Sequence, residues 1–97
     1  MKHFHRTSVS PVAALEAAEE FFLQMGHART VNAPRARTFA GPLGTVRISA
    51  KAEGGHYTFV EAETDQMGES RLDRNVKKFF VELRRTADPR HSLEAAY

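Results

Sequence analysis

A single apolar stripe runs along residues 71–85, whose sequence is RLDRNVKKFFVELRR. Its apolar side chains recur at i, i+4, i+7, i+8 and i+11, the spacing that places them on one side of an α-helix. They are Leu72, Val76, Phe79, Phe80 and Leu83. The other side carries Arg71, Arg74, Lys77, Lys78, Arg84 and Arg85. An amphipathic helix is stabilised mainly by packing of its apolar side, so the rest of the chain must supply a surface that covers this stripe.

A second amphipathic helix is predicted for residues 11–25. Ser10 suits the N-cap, Pro11 suits the first helical position, and Gly26 is a typical C-terminal stop. Its apolar residues also follow helical spacing, and they are Ala14, Leu15, Ala18, Phe21, Phe22 and Met25. At the start of the other helix, Ser70 and Asp73 have the spacing of a capping box. The chain therefore contains two helices that begin at defined residues.

The residues outside these helices have the pattern of β-strands. Residues 45–51 alternate apolar and polar side chains, and residues 56–63 are rich in β-branched and aromatic types. Shorter strands are predicted around Thr30 and Thr38, and another for residues 2–9 before the first helix.

A four-residue loop at residues 52–55 would join two of these strands as an antiparallel hairpin. That loop length places Ile48 opposite Phe59 and Val46 opposite Glu61. Tyr57, Phe59 and Glu61 would then lie on the inner, apolar side of the sheet.

The order strand, helix, three to four strands, helix predicts an α+β fold. We expect a two-layer sandwich in which both helices cover one face of a curved antiparallel sheet. Residues 1–88 would form a single domain, and residues 89–97 a C-terminal tail.

Composition excludes several classes of site. The chain has 97 residues and no cysteine, so it can have no disulfide, thiol nucleophile or thiolate metal site. No stretch has the length or hydropathy of a signal peptide or a membrane span, and we expect a soluble cytoplasmic protein without a membrane partner. Arginine supplies ten of the fourteen basic residues, which suggests a bacterial origin.

The net charge of +2 conceals an alternating distribution of charge. Residues 27–52 carry five cations and no acid, whereas residues 53–69 carry five acids and no lysine or arginine. Such segments neutralise one another when they lie side by side, and the pattern argues against one continuous basic face for nucleic acid.

The stretches SVSPVAALEAAEEFF and NVKKFFVELRR, in this order of elements, resemble the TBP-like and helix-grip group, which includes the START and polyketide-cyclase proteins. The resemblance implies a small apolar or amphipathic ligand bound in a cavity between the last helix and the sheet. It transfers no catalytic residue and no cofactor. The residues expected to line such a cavity are Phe22, Tyr57, Phe59, Glu61, Phe79 and Phe80.

Two candidate chemical sites have simpler explanations. His3 and His5 would point the same way from a strand, but two ligands are too few for a tight zinc site, and we expect both to be exposed. Glu61 on the inner face would be desolvated and could act as a general acid or base, but a strand end within reach of an arginine, with Glu63 on the same side, is the simpler explanation. No metal site and no catalytic residue is predicted.

Three functions therefore stay open. The first is non-catalytic binding of a small ligand. The second is a protein-interaction or homodimerisation module, using the outer face of the sheet or binding an anionic partner through the Arg-rich residues 27–52. The third is an enzyme that uses Glu61.

Overall fold

The computed structural model describes residues 1–87. The elements are β1 (Lys2–Thr7), α1 (Pro11–Gln24), β2 (Ala28–Ala33), β3 (Ala36–Gly41), β4 (Gly44–Glu53), β5 (Tyr57–Thr64) and α2 (Arg71–Ala87). The predicted α+β fold is confirmed, with four strands between the two helices. The predicted tail at residues 89–97 lies outside the described residues.

The five strands form one antiparallel sheet in the order β1-β5-β4-β3-β2. Strands β2 to β5 are consecutive in the chain and are joined by short turns, including the predicted turn between Gly41 and Gly44. Strand β1 instead pairs with β5, more than fifty residues later, so that Lys2 lies opposite Glu63 and Thr7 opposite Thr58. Strands β1 and β2 are the two edges of this sheet.

One buried cluster joins both helices to alternate residues of the strands. The strand residues in it are Phe39, Val46, Ile48, Ala50, Val60 and Ala62. The helix residues are Ala14, Leu15, Ala18 and Phe22 of α1 and Leu72, Val76, Phe79 and Leu83 of α2. We call the side of the sheet that carries these strand residues the packed face, and the other side the open face.

Both predicted helix starts are confirmed. The Ser10 hydroxyl accepts a hydrogen bond from the Ala13 N–H at 3.2 Å. At α2 the Ser70 hydroxyl accepts from the Asp73 N–H at 3.1 Å, while an Asp73 carboxylate oxygen accepts from the Ser70 N–H at 3.3 Å. This reciprocal pair is a capping box, and it satisfies backbone donors that the helix itself leaves unpaired. Within residues 1–87, neither helix is long and apolar enough to cross a bilayer.

The predicted antiparallel hairpin of β4 and β5 is confirmed, but its predicted register is wrong. Ile48 lies opposite Ala62 and Val46 opposite Thr64, and the last pair before the turn is Glu53 with Tyr57. The connection is thus three residues long, with Gly55 and His56 both at positive φ, rather than four. Because successive side chains of a strand point to opposite faces, this register moves Tyr57, Phe59 and Glu61 to the open face.

Candidate ligand groove on the open face

A row of small side chains crosses three strands on the open face of the sheet. Ala33 of β2 lies opposite Ala36 of β3, and Ala36 lies opposite Ser49 of β4. The same row continues to Glu61 of β5. Long side chains flank the row on the neighbouring strand positions, Arg47 on one side and Lys51 on the other. Small residues between long ones leave a channel across the strands, which we call the open-face groove.

The open-face groove has a volume of about 660 Å³, within the usual range of about 300–1,000 Å³ for small-molecule sites. Pro34 and Arg35 of the β2–β3 turn close one end, and Glu61 lies toward the other. The turn is held against β4 by a hydrogen bond from the Ala50 N–H to the Arg35 carbonyl, at 3.0 Å. The groove is therefore built on paired strands and on a turn anchored to them.

Phe59 forms an aromatic wall of the groove and is fixed by three neighbours. The ring of Phe4 stacks on it with centroids 5.5 Å apart. The Arg6 guanidinium and the Lys51 ammonium lie 5.5 and 5.6 Å from its centroid. These distances are within the range of cation–π attraction, so Lys51 is held at the groove by the ring beside it.

Arg47 of the groove lies directly opposite Glu63 of β5, but no close ion pair forms between them within residues 1–87. Elsewhere on the open face Lys2 pairs with Glu63 at 3.6 Å. Within residues 1–87, by contrast, the groove-lining cations form no ion pair. They are Arg35, Arg47 and Lys51, and the one acid in the lining is Glu61. The groove thus combines an apolar floor, an aromatic wall and an excess of positive charge.

The residues predicted to line one cavity are divided among three places. Phe59 and Glu61 line the open-face groove, and Tyr57 lies on the same face, about half exposed. Phe22 and Phe79 are fully buried in the core, with ring centroids 5.7 Å apart.

Phe80 is partly buried and stacks on His5 of β1 with centroids 5.0 Å apart. The rings of Phe22, Phe39 and Phe79 occupy the region between the helices and the sheet where the ligand was expected.

The corrected position of Glu61 removes the premise of the enzyme hypothesis. That hypothesis required the carboxylate to be desolvated on the inner side of the sheet. Glu61 instead lies on the open face, opposite Ser49 on β4 and Phe4 on β1. There it is only half-buried.

Sequence reasoning missed the floor of the groove and the Arg35 end. The alternation of β4 did place Arg47 and Lys51 on the outward side, as observed. Ala33 and Ala36 gave no signal, because alanine is common at many kinds of position and only cross-strand register brings these two into a row with Ser49.

The two N-terminal histidines lie on the same side of β1, as their spacing predicts, and both contact α2, so the expectation that both are exposed is wrong. His3 Nε2 lies 2.8 Å from a carboxylate oxygen of Asp73, and its side chain is only 13% exposed. The pKa of His5 is lowered, first by burial and second by the charge of Arg84. Within residues 1–87 no group of three potential ligands could hold a metal ion.

A buried carboxylate lies at the centre of a polar cluster between β1, β5 and α2. Asp73 accepts hydrogen bonds from the Ser70 hydroxyl at 2.7 Å and the Thr64 hydroxyl at 2.9 Å, in addition to the contact with His3. Burial alone would raise the pKa of Asp73, but these hydrogen bonds lower it to about 2. Because both hydroxyls bond to the carboxylate rather than to the imidazole, the cluster is not a nucleophile–base pair. It joins the start of α2 to the sheet.

His27 is the other buried polar side chain of note. Within residues 1–87 neither of its ring nitrogens has a hydrogen-bond partner. The ring packs edge-on against Phe22, with centroids 5.8 Å apart. Burial lowers the pKa of His27, so the neutral form is favoured in the folded chain.

No protein-family model matches the chain, and no curated protein matches it at a significant level. The chemistry of the open-face groove is therefore what bears on function.

Proposed function

We propose that the protein is a non-catalytic binder of a small amphipathic anion, which it holds in the open-face groove. The observation that carries this proposal is the combination in one groove of a small-residue floor, the Phe59 ring and three cations that form no ion pair within residues 1–87. The groove replaces the cavity beneath α2 as the expected ligand position, since fully buried aromatic rings occupy that region. The cytoplasmic location and bacterial origin stay predictions.

The chemistry of the groove defines the ligand class. An aromatic or branched apolar body fits over Ala33, Ala36 and the Phe59 ring, where it removes apolar surface from water. A carboxylate or sulfonate on the same molecule would pair with Arg47 or Lys51, and arginine offers the two parallel donors that suit a carboxylate. Both the apolar body and the anionic group of such a ligand contribute to its binding free energy, whereas an uncharged hydrocarbon would leave the cations unpaired.

The dye 8-anilinonaphthalene-1-sulfonate tests this proposal, because it joins an aromatic body to one sulfonate. We expect saturable binding followed by fluorescence, with amide NMR shifts concentrated at Ser49, Lys51 and Glu61. Filling the floor with Ala36→Leu should abolish binding. Lys51→Gln should weaken it by about three- to tenfold, the size expected for one charge-assisted contact.

Lys2→Gln is the matched control, since Lys2 is a lysine of the same face that does not line the groove. It should change the affinity less than twofold, on the order of 0.4 kcal/mol or less. An equal loss in both lysine variants would indicate general charge attraction and contradict a groove site. Shifts centred on Phe79 and Phe80 would instead place the ligand beneath α2.

A second candidate function is homodimerisation through the open face. The observation in its favour is that Phe4, Tyr57 and Val31, all on this face, are about half exposed. Two copies that met through this face would cover these side chains by a two-fold interface. The same contact would also bring the unpaired groove cations of both copies together, which disfavours it relative to an anionic ligand.

A further inference from the structure

A second cleft lies at the beginning of α2, at a different place from the open-face groove. Its volume is about 280 Å³, and its lining is Met25, Leu43, Arg71, Arg74, Asn75 and Lys78. We call it the α2 cleft. None of the six lining residues is acidic, and three are cations from one helix.

The three cations share one side of the helix. Arg71, Arg74 and Lys78 are spaced i, i+3 and i+7, so their side chains emerge from neighbouring positions. Like charges at these spacings repel each other. Of the other cations of α2, Lys77 pairs with Glu69 at 2.7 Å and Arg85 with Glu82 at 3.1 Å, whereas Arg84 has no ion pair within residues 1–87. Within residues 1–87, the cleft cations form no ion pair.

Helix stability does not explain the position of two of these cations. Because the Ser70 carbonyl accepts the Arg74 N–H and its hydroxyl accepts the Asp73 N–H, Ser70 is the N-cap and Arg71 is the first helical residue. The positive end of the helix dipole lies here, so cations near it are unfavourable. A sequence selected only for helix stability would place acidic residues in this turn, and Asp73 is one such residue.

An independent observation also points to a ligand. Asn75 lines the same cleft, and only 7% of the residue is exposed. Its amide makes no hydrogen bond to any group within residues 1–87, and it is not sealed from solvent, since the only buried side-chain atoms without a partner in these residues are the His27 ring nitrogens. The amide therefore opens into the cleft, where it can bond to water or to a ligand.

We infer that the α2 cleft binds the phosphate group of a small phosphorylated molecule. A phosphate dianion presents several acceptor oxygens to the two guanidinium groups, the ammonium and the Asn75 amide, and it neutralises the repulsion among the cations. Met25 and Leu43 form the apolar part of the lining, so they would contact the organic group that carries the phosphate. This site is separate from the open-face groove, with which it shares no lining residue.

Inorganic phosphate and phenyl phosphate are the probes, titrated against the full chain at constant ionic strength and followed by amide NMR. We expect saturable shifts of the Asn75 side-chain amide and a Kd for phosphate of about 1 mM, typical of so small a ligand. Phenyl phosphate should bind about three- to tenfold more tightly if its ring reaches the apolar lining. Chloride at equal ionic strength should produce none of these shifts.

Two double variants of equal charge provide the decisive comparison. Arg71→Gln with Arg74→Gln should weaken phosphate binding about tenfold or more, since it removes both guanidinium groups. Arg84→Gln with Arg85→Gln lies on the same helix outside the cleft and should change binding less than about twofold. Asn75→Ala keeps the charge and should weaken binding about threefold. Circular dichroism of each variant verifies that the fold is retained.

Three outcomes would overturn the inference. Equal losses in the two double variants would show general electrostatic attraction, and chloride-induced shifts of the same size would show an unspecific anion effect. Tight binding of an oligonucleotide, with a strong salt dependence that the Arg71 and Arg74 changes remove, would assign the cations to nucleic acid instead. The groove variant Lys51→Gln should leave phosphate binding unchanged, so this test and the test of the open-face groove fail independently.

Discussion

At the scale of single residues, the closest approach of a glycine to a buried side chain lies at Gly41. A Cβ added there would be 2.7 Å from His27 Nδ1 and 3.2 Å from two further ring atoms. The imidazole is buried between the end of α1 and this strand, and Phe22 packs against it, so it has little room to move. Glycine is required at position 41 because of this contact, and not because of its backbone conformation.

Gly41→Ala should therefore reduce the free energy of unfolding by about 1–3 kcal/mol, the usual cost of forcing an extra methyl group into a packed site. Urea denaturation followed by circular dichroism measures this change. Gly54→Ala is the control, because an added Cβ at position 54 meets no atom within 4 Å. In a His27→Ala background the cost of Gly41→Ala should fall, and an undiminished cost would contradict the proposed contact.

At the scale of elements, the Asp73 cluster connects α2 to the two strands beneath its start. Thr64 belongs to β5, which directly precedes α2, and His3 belongs to β1, seventy residues before Asp73, so one carboxylate joins three elements. The N-terminal ammonium extends the connection, since it donates to the Thr64 carbonyl at 2.8 Å. The cluster fixes the position of α2 along the sheet, and with it the orientation of the α2 cleft.

Acid should weaken this connection. The pKa of Asp73 is about 2 in the folded chain against an ordinary value of 3.8 for the unfolded chain, so the ionised form stabilises the fold above about pH 4. This contribution is lost as the pH falls from about 4 to about 2. Asp65 and Glu69 also have lowered pKa values, because of hydrogen bonds from the Thr45 N–H and from Lys77 respectively, so they add to the same acid loss.

Asp73→Asn isolates the contribution of the buried carboxylate. It should lower the free energy of unfolding at pH 7 by about 2 kcal/mol, since hydrogen bonds to a charged group are replaced by weaker or mismatched ones. It should also flatten the dependence of stability on pH between about 4 and 2. Denaturation at a series of pH values measures both effects. Glu20→Gln, an exposed carboxylate with no hydrogen bond or ion pair in residues 1–87, is the control, and a similar flattening there would contradict the role of Asp73.

At the scale of the whole molecule, the two faces of the sheet differ in chemistry. The packed face contributes to the single buried cluster, whereas the open face carries aromatic rings, cations and the groove. Exposed apolar side chains on one face are available for contact with a ligand or with another chain. The proposed anionic ligand and a second copy of the chain would compete for this face.

Sedimentation at several protein concentrations distinguishes these partners. We expect the mass of a monomer at about 10 μM, because the unpaired cations of the groove would face each other in a two-fold contact. A dimer that dissociates on Phe4→Asp but not on Val81→Asp would contradict this expectation and favour homodimerisation. Val81 is the control because it is an exposed apolar residue of α2, outside the open face.

Much of the fold was predictable from the sequence alone because its signals are local. The stripe from Leu72 to Leu83, the caps at Ser10 and Ser70, and the alternation around Ile48 each arise from residues close together in the chain. They determined the type and order of the elements, with three to four strands expected between the helices, and hence the α+β class. They also identified Phe79 as a core residue and Arg47 and Lys51 as outward-facing.

Only the tertiary structure decided where the candidate sites lie. One residue less in the connection between β4 and β5 moved Tyr57, Phe59 and Glu61 to the opposite face, because side chains alternate along a strand. The partner of His3 lies seventy residues away, and the groove floor joins alanines of two strands to Ser49 of a third. Such contacts depend on how strands pair and where helices pack, and these long-range choices leave no spacing in the sequence by which they could be recognised.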